Sequence, residues 1–298
     1  MNSPSLNPFL DRSQVRWRDV KHVQHTLIQH FHYDYPGPIA DLTHRLMIAP
    51  RTAYGDQQRC NFHLNVSPEL KIRDKRDLFG NEVMSVKARR LESPLVFEMN
   101  STVTRSAENS PVYISKDKAD HFLSPTRLTF ADEHISAIAH VLEVTAQDDL
   151  SFAEAASNWV SKAMRYGFGA TDTSTAAAEA LTIGEGLCQD YAHIMIALCR
   201  EAGVAARYVS GHMLGEGGSH AWVEVLIQEG ERLRAYAFDP TNRRRPNMSY
   251  ITVAVGRDYR DVAPTSGSFS APYMGRLTAT KRAGLTMVEY GDGEVIRG

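Results

Sequence analysis

Cysteine is scarce in this chain: Cys60, Cys188 and Cys199 are the three in 298 residues. An odd count without CxxC spacing supports neither a disulfide scaffold nor a structural zinc site. Cys188 and Cys199 share one predicted helix, where ~1.5 Å of rise per residue sets them ~16 Å apart, beyond disulfide reach. Long apolar runs are missing too. No uncharged stretch approaches the ~20 residues a membrane helix needs. Met1 to Trp17 is polar, carries Pro4 and Pro8, and lacks an apolar core of signal-peptide length. The expectation is a cytoplasmic protein with no membrane partner. Net charge is nearly absent, with 33 Lys+Arg against 35 Asp+Glu. Without a global basic field no nucleic-acid partner is expected, and Arg243-Arg244-Arg245 reads as a solvated turn after a strand. No repeat or low-complexity segment stands out.

What is present is a soluble globular composition, 43% hydrophobic and 23% charged, enough to bury a core without staples. From about residue 18 to 105 the pattern has period two. His25 to Tyr33 and Cys60 to Val66 alternate, Val83 to Val86 and Val96 to Val103 follow, and Pro/Gly/Asn turns separate them. That predicts an N-terminal β-sandwich or β-sheet module over 18–108. Ser106 to Thr126 is polar, holds two prolines and reads as a linker. From Asp132 the spacing turns helical: Ile135, Ile138, Ala139 and Leu142, then Phe152, Ala156, Trp159 and Ala163. A third helix runs from near Gly186 to Gly203, with Leu187, Tyr191, Ile194, Leu198 and Ala202 as its buried face. Strands resume at Ala205 to Val209, His220 to Ile227 and Leu233 to Asp239. The reading is α+β: the β module, a second domain over 125–265, and a C-terminal strand or tail over 266–298.

The segment Gly184-Glu185-Gly186-Leu187-Cys188-Gln189-Asp190-Tyr191-Ala192-His193 sets a cysteine in the first turn of that third helix. Unpaired backbone N–H groups and the positive dipole end favour a thiolate there, and the same N–H groups could hold an oxyanion. Cys199, near the helix C-terminus, and Cys60, in a strand, read as inert small hydrophobes. A nucleophilic thiol needs a base, and the base an orienting group. Of twelve histidines, His193 lies about 140° around the helix from Cys188, and His212 ends a strand before the Gly215–Gly218 loop. His220 opens the strand His220 to Ile227, which returns as Arg232 to Asp239. A hairpin centred between Glu229 and Gly230 sets His220 directly opposite Asp239, with Cβ atoms ~5 Å apart. A carboxylate at that distance can fix the imidazole tautomer.

These residues carry a family resemblance. Gly186 to His193, Gly203 to Gly211, His220-Ala221-Trp222-Val223-Glu224 and Phe238-Asp239-Pro240-Thr241-Asn242 resemble the core of bacterial transglutaminase-like proteins, over about Phe152 to Val262. The first domain resembles that family's N-terminal β module through His25-Thr26, Leu46 to Arg51 and Asp77 to Asn81. The resemblance implies a papain-like transglutaminase core, a Cys-bearing helix packed on an antiparallel sheet bearing His and Asp. Its nucleophile falls on Cys188, its base on His220 and its orienting acid on Asp239. Tyr166, Asp258 and Tyr259 match family positions that border the oxyanion or substrate. Two departures, Gly211-His212-Met213 in place of glycine-aromatic and a short Gly215-Glu216-Gly217-Gly218 loop, bear on specificity.

The expected activity is cysteine-dependent acyl transfer at amide bonds through a thioester. Hydrolysis of a peptide or isopeptide bond in a peptide or protein substrate leads, with protein-glutamine transglutaminase as the alternative. A non-catalytic interaction module is the reading from another class, weighed down by the intact Cys, His and Asp. No cofactor is called for. His22, His25, His30 and His32 suggest a metal, yet lack a Cys or carboxylate at ligand spacing, so no metal is expected.

Overall fold

The computed structural model describes residues 9–108, 110–215 and 218–298. After a 3-10 turn at Arg12–Gln14, the first part is strand: β1 (Val20–Asp34), β2 (Ile39–Leu46), β3 (Ala53–Tyr54), β4 (Gln57–Ser67), β5 (Arg73–Arg76), β6 (Glu82–Leu91) and β7 (Leu95–Ser106). A mixed middle follows: β8 (Tyr113–Ser115), α1 (Ala119–Leu123), α2 (Glu133–Thr145), α3 (Asp149–Ala163), β9 (Arg165–Tyr166), α4 (Ala177–Ile183), β10 (Glu185–Gly186) and α5 (Cys188–Glu201). The last part comprises β11 (Ala206–Met213), β12 (His220–Glu229), β13 (Arg232–Phe238), β14 (Tyr250–Gly256), α6 (Tyr259–Val262), β15 (Thr265–Ser270), β16 (Arg276–Tyr290) and β17 (Val295–Arg297).

The sandwich has one sheet in the order β17-β16-β1-β7-β4-β3 and another in the order β15-β2-β6-β5. Alternation along β1 sends Val23, Leu27 and Phe31 inward, as a two-residue period requires. Leu27 and Phe31 meet Leu42 and Leu46 of β2 and Val86 of β6 between the sheets, while Val23 packs with Leu285 and Val288 of β16. The segment read as a C-terminal strand or tail completes both sheets: β15 pairs with β2, and β16 pairs with β1 along nearly its whole length.

The second core lies between helices and the antiparallel sheet β14-β11-β12-β13-β8. Asp132 and Asp148 cap α2 and α3 by accepting the amides of Ile135 and Ser151, which satisfies N–H groups that have no intrahelical partner. Helix α5 is not amphipathic in place. Every residue from Asp190 to Arg200 is buried, so it is the central helix, packed by α2, α3 and α4 on one side and the sheet on the other. The sequence expectation of a single buried face is corrected here. The expected linker is corrected too: Tyr113–Ser115 adds β8 to the sheet beside β13, and Phe122 of α1 is buried.

Two side-chain amides of the sandwich dock the core. Gln57 donates to Thr252 O (2.9 Å) and accepts from Thr252 N (2.8 Å). Asn81 does the same with Val255 O (2.8 Å) and Val255 N (2.9 Å). Strand β14 is the edge of its sheet, and an unpaired edge leaves backbone groups that must be satisfied once buried. The two amides do this in place of another strand. No helix among the described residues is long and apolar enough to cross a membrane.

Candidate active site

Cys188 is the first residue of α5 and is half-buried. The loop before it is held by Asp190, whose Oδ2 accepts Leu187 N (2.8 Å) and the Thr171 hydroxyl (2.7 Å). This explains Gly186: a Cβ there would fall 2.5 Å from Asp190 Oδ2. Tyr166 lies alongside, since β9 pairs with β10 in the register Gly186↔Tyr166 and Gly167 N donates to Gly186 O (3.1 Å). The Tyr166 ring is about half exposed and faces Tyr191 and Phe168. Across from the helix stands Tyr208 of β11. Burial raises its hydroxyl far above the ordinary tyrosine range, and the nearby Cys188 and Tyr259 add to the effect.

His220 and Asp239 meet as a buried pair, Nε2 to Oδ2, at 2.8 Å. The route differs from the expected one. The hairpin turns at Gly230-Glu231, with Glu229 opposite Arg232 and Val223 opposite Phe238. Gly230 takes φ +58°, the left-handed region that glycine enters without penalty. His220 and Asp239 are therefore diagonal neighbours, not directly opposed. The pairing moved by an even number of residues, so both side chains kept the same face. Asp239 itself lies just past β13, bridged to Arg244.

The Asp239 carboxylate is densely served. Oδ2 also accepts from Tyr250 OH (2.6 Å) and Asn242 Nδ2 (2.8 Å), and Oδ1 from the amides of Thr241 and Asn242 (3.1 Å each). Burial pushes this acid up, but the bonds from His220, Tyr250 and Asn242 outweigh it and hold it below the usual carboxylate range. Trp222 stacks on His220 at 6.2 Å between centroids, and Tyr250 stands edge-on to Trp222.

Arg244 Nε donates to Tyr250 OH (2.8 Å), and Arg245 lies 3.5 Å over the Phe238 ring. The reading of Arg243–Arg245 as a solvated turn is thus corrected: two of the three are engaged. Tyr250, Asn242, Trp222, Arg244 and Asp190 carry the site's geometry and were not singled out from sequence. Asn242 and Asp190 sit inside the motifs. Tyr250 has no local signal, because it arrives on a different strand.

The other candidates lie elsewhere. His193 is fully buried, accepts Tyr259 N (3.2 Å), and is pushed down to about 3 by burial. His212 faces Gln29 Nε2 at 2.8 Å and is likewise pushed down to about 3 by burial. Cys199 is buried and its thiol is pushed up to about 12, while Cys60 is exposed on β4. The buried Asp258 caps α6 by accepting Arg260 N (2.8 Å), and Tyr259 stands edge-on to Tyr208. Of the Gly215–Gly218 loop, Glu216 and Gly217 lie outside the described residues. Among the described residues no three His, Cys, Asp or Glu side chains gather as metal ligands.

A half-buried cysteine opening the central helix, packed on an antiparallel sheet, is the layout of a papain-like fold. A Cytophaga hutchinsonii protein named "Putative Cysteine Protease" shares it, with a TM-score of 0.73 and 21% identity over 89% of this chain and 91% of that one. Residues 136–239 match the transglutaminase-like superfamily, and residues 24–104 match the bacterial transglutaminase-like N-terminal region. The two matches fall in chain order on the two parts of the fold, the N-terminal region on the sandwich and the transglutaminase-like core on the helices and second sheet. It is 32% identical to an uncharacterized Mycobacterium leprae protein over 52% of this chain, and 40% identical to one from Mycobacterium tuberculosis H37Rv over 34%. These matches span 57% and 36% of the two relatives.

Proposed function

We propose that the chain is an amide-directed acyl-transfer enzyme in which Cys188 is the nucleophile, His220 the acid–base and Asp239 the group that orients it. The observation that carries this reading is the buried 2.8 Å bond from His220 Nε2 to Asp239. It fixes the ring, so Nδ1 is the nitrogen that exchanges a proton with the thiol. The Cys188 sulfur attacks the substrate carbonyl, forming a C–S bond. The C–N bond then breaks, and the amine leaves with a proton from His220. Backbone N–H groups at the start of α5 receive the oxyanion, with Tyr166 beside them as the second donor. Tyr259 borders the substrate cleft from behind Tyr208, and Asp258 keeps it there by capping α6. Water then attacks the thioester, His220 takes its proton, and acid and thiol are released. Hydrolysis of a peptide or isopeptide bond is the favoured outcome, since water needs no binding site of its own.

The test is product release from amide substrates by the purified chain, with and without a primary amine. Cys188→Ala should reduce turnover to background while circular dichroism is unchanged. Amine incorporation faster than hydrolysis would replace hydrolysis by transamidation on the same triad. Full activity of Cys188→Ala would remove both.

A further inference from the structure

Between the sandwich and the far side of the catalytic sheet lies a cavity of about 400 Å³. Among the described residues its lining includes three cations, Arg51, Arg207 and Lys118, and no carboxylate. Arg207 follows Ala206 and precedes Tyr208, both packed under the helices. Alternation along the strand therefore turns its side chain to the face that α5 does not cover.

The guanidiniums are incompletely satisfied. Arg207 pairs with Glu224 through Nε (2.8 Å) and Nη2 (2.6 Å) and bonds the Tyr54 hydroxyl through Nη2. Its Nη1 has no acceptor among the described residues. Arg51 donates only through Nη1, to Phe79 O (3.2 Å) and Asn81 Oδ1 (2.8 Å), both neutral. The two guanidinium carbons lie 5.1 and 5.8 Å from the centre of the Tyr54 ring. Burial, with the charge of Arg207, lowers the Arg51 guanidinium's hold on its proton, and Tyr54, Glu224 and Asp77 offset this only in part. Arg51 is a desolvated cation at an open cavity with no carboxylate in contact, which is costly, and a bound anion offsets that cost. Phe79, Phe122 and the Tyr54 ring add flat apolar wall beside the cations.

We infer that this cavity is a binding site for a small organic anion, a phosphomonoester on an apolar or aromatic body, separate from the Cys188 cleft. The anion takes the N–H groups of Arg51 and Arg207 and the Lys118 ammonium, and the organic part packs on the rings. Guanidinium forks suit such oxygens.

Calorimetric titration of the whole chain with phenyl phosphate tests it, with inorganic phosphate in parallel. Phenyl phosphate should bind, inorganic phosphate more weakly, and added salt should reduce both. Arg51→Gln should weaken phenyl phosphate about tenfold or more, the loss of charge-assisted hydrogen bonds. Lys118→Ala, an exposed change that leaves the fold intact, should weaken it several-fold. Cys188→Ala should bind as the parent does, which separates this site from the proposed catalytic one. No heat at millimolar phenyl phosphate, or parental affinity in both Arg51→Gln and Lys118→Ala, would overturn the inference. Equal affinity for inorganic phosphate would remove the organic part of it.

Discussion

In the sandwich, β1 buries every second residue from Val23 to Phe31 and leaves those between half-exposed. In the core, α5 buries every residue from Asp190 to Arg200, charged ones included. The sandwich is held by apolar contact between two sheets, a loose specification that many residues could meet. The core depends on polar groups that converge from distant parts of the chain. Arg200 is an example: it donates to the carbonyls of Phe122 (2.9 Å), Ala206 (3.0 Å) and Arg257 (2.8 Å). Asp239, with its five donors, is another. Buried polar groups of this kind must be fully satisfied or they destabilise. The core therefore has fewer acceptable neighbours for each residue than the sandwich has.

Acid should break the contrast most completely. Burial pushes His25 and His44 of the sandwich down to about 4, and His193 and His212 of the core down to about 3. The unfolded chain, with histidines near 6.5, takes up these protons first. Their contribution to stability is full above that pH and drains as pH falls from there towards 3. Because both regions carry such groups, fluorescence and far-UV circular dichroism should report one shared transition. Two separate transitions would show regions that unfold independently.

Asp239→Asn tests the core alone. It keeps a hydrogen-bonding side chain but loses the charge and favours the wrong imidazole tautomer. The drop in kcat should stay below the ~10⁴-fold of serine triads, because a thiol needs less help from its base. The sandwich counterpart is Leu285→Ala on β16, a fully buried side chain. It should cost ~2–5 kcal/mol of stability by cavity formation, with kcat per folded molecule unchanged. A change in kcat there would mean that the sandwich tunes the site. The smallest effect is expected from Tyr250→Phe, which removes one donor to Asp239 and the acceptor of Arg244. A loss of about tenfold in kcat without a change in KM is the expected result, the size of one hydrogen bond to a charged group.

The same contrast governs what the sequence made legible. Period two exposed the strands of the first hundred residues, because alternation there is a direct record of burial. The motifs around Cys188, His220 and Asp239 were readable, and the His–Asp face survived an incorrect hairpin centre because the error was even. Helix α4 escaped notice: seven residues, three of them alanine, are too few for a stripe. Strand β16 was legible only as part of a C-terminal strand or tail, without its partner, since its first third, Arg276–Thr280, is exposed on both faces and shows no alternation. Tyr250 and Arg244 could not be assigned from local pattern at all, for their roles exist only once β14 lies beside β11.

The pairing of β16 with β1 also sets a timetable for synthesis. A ribosome makes β1 first and its neighbour β16 some 250 residues later, after the whole helical core and its sheet. At rates of roughly 5–20 residues per second, the fifteen residues of β1 wait tens of seconds with one edge open. An open edge of that length invites strand pairing with other chains. The hazard of this fold is therefore concentrated in its birth, and the emergence of β16 is the event that closes the sheet.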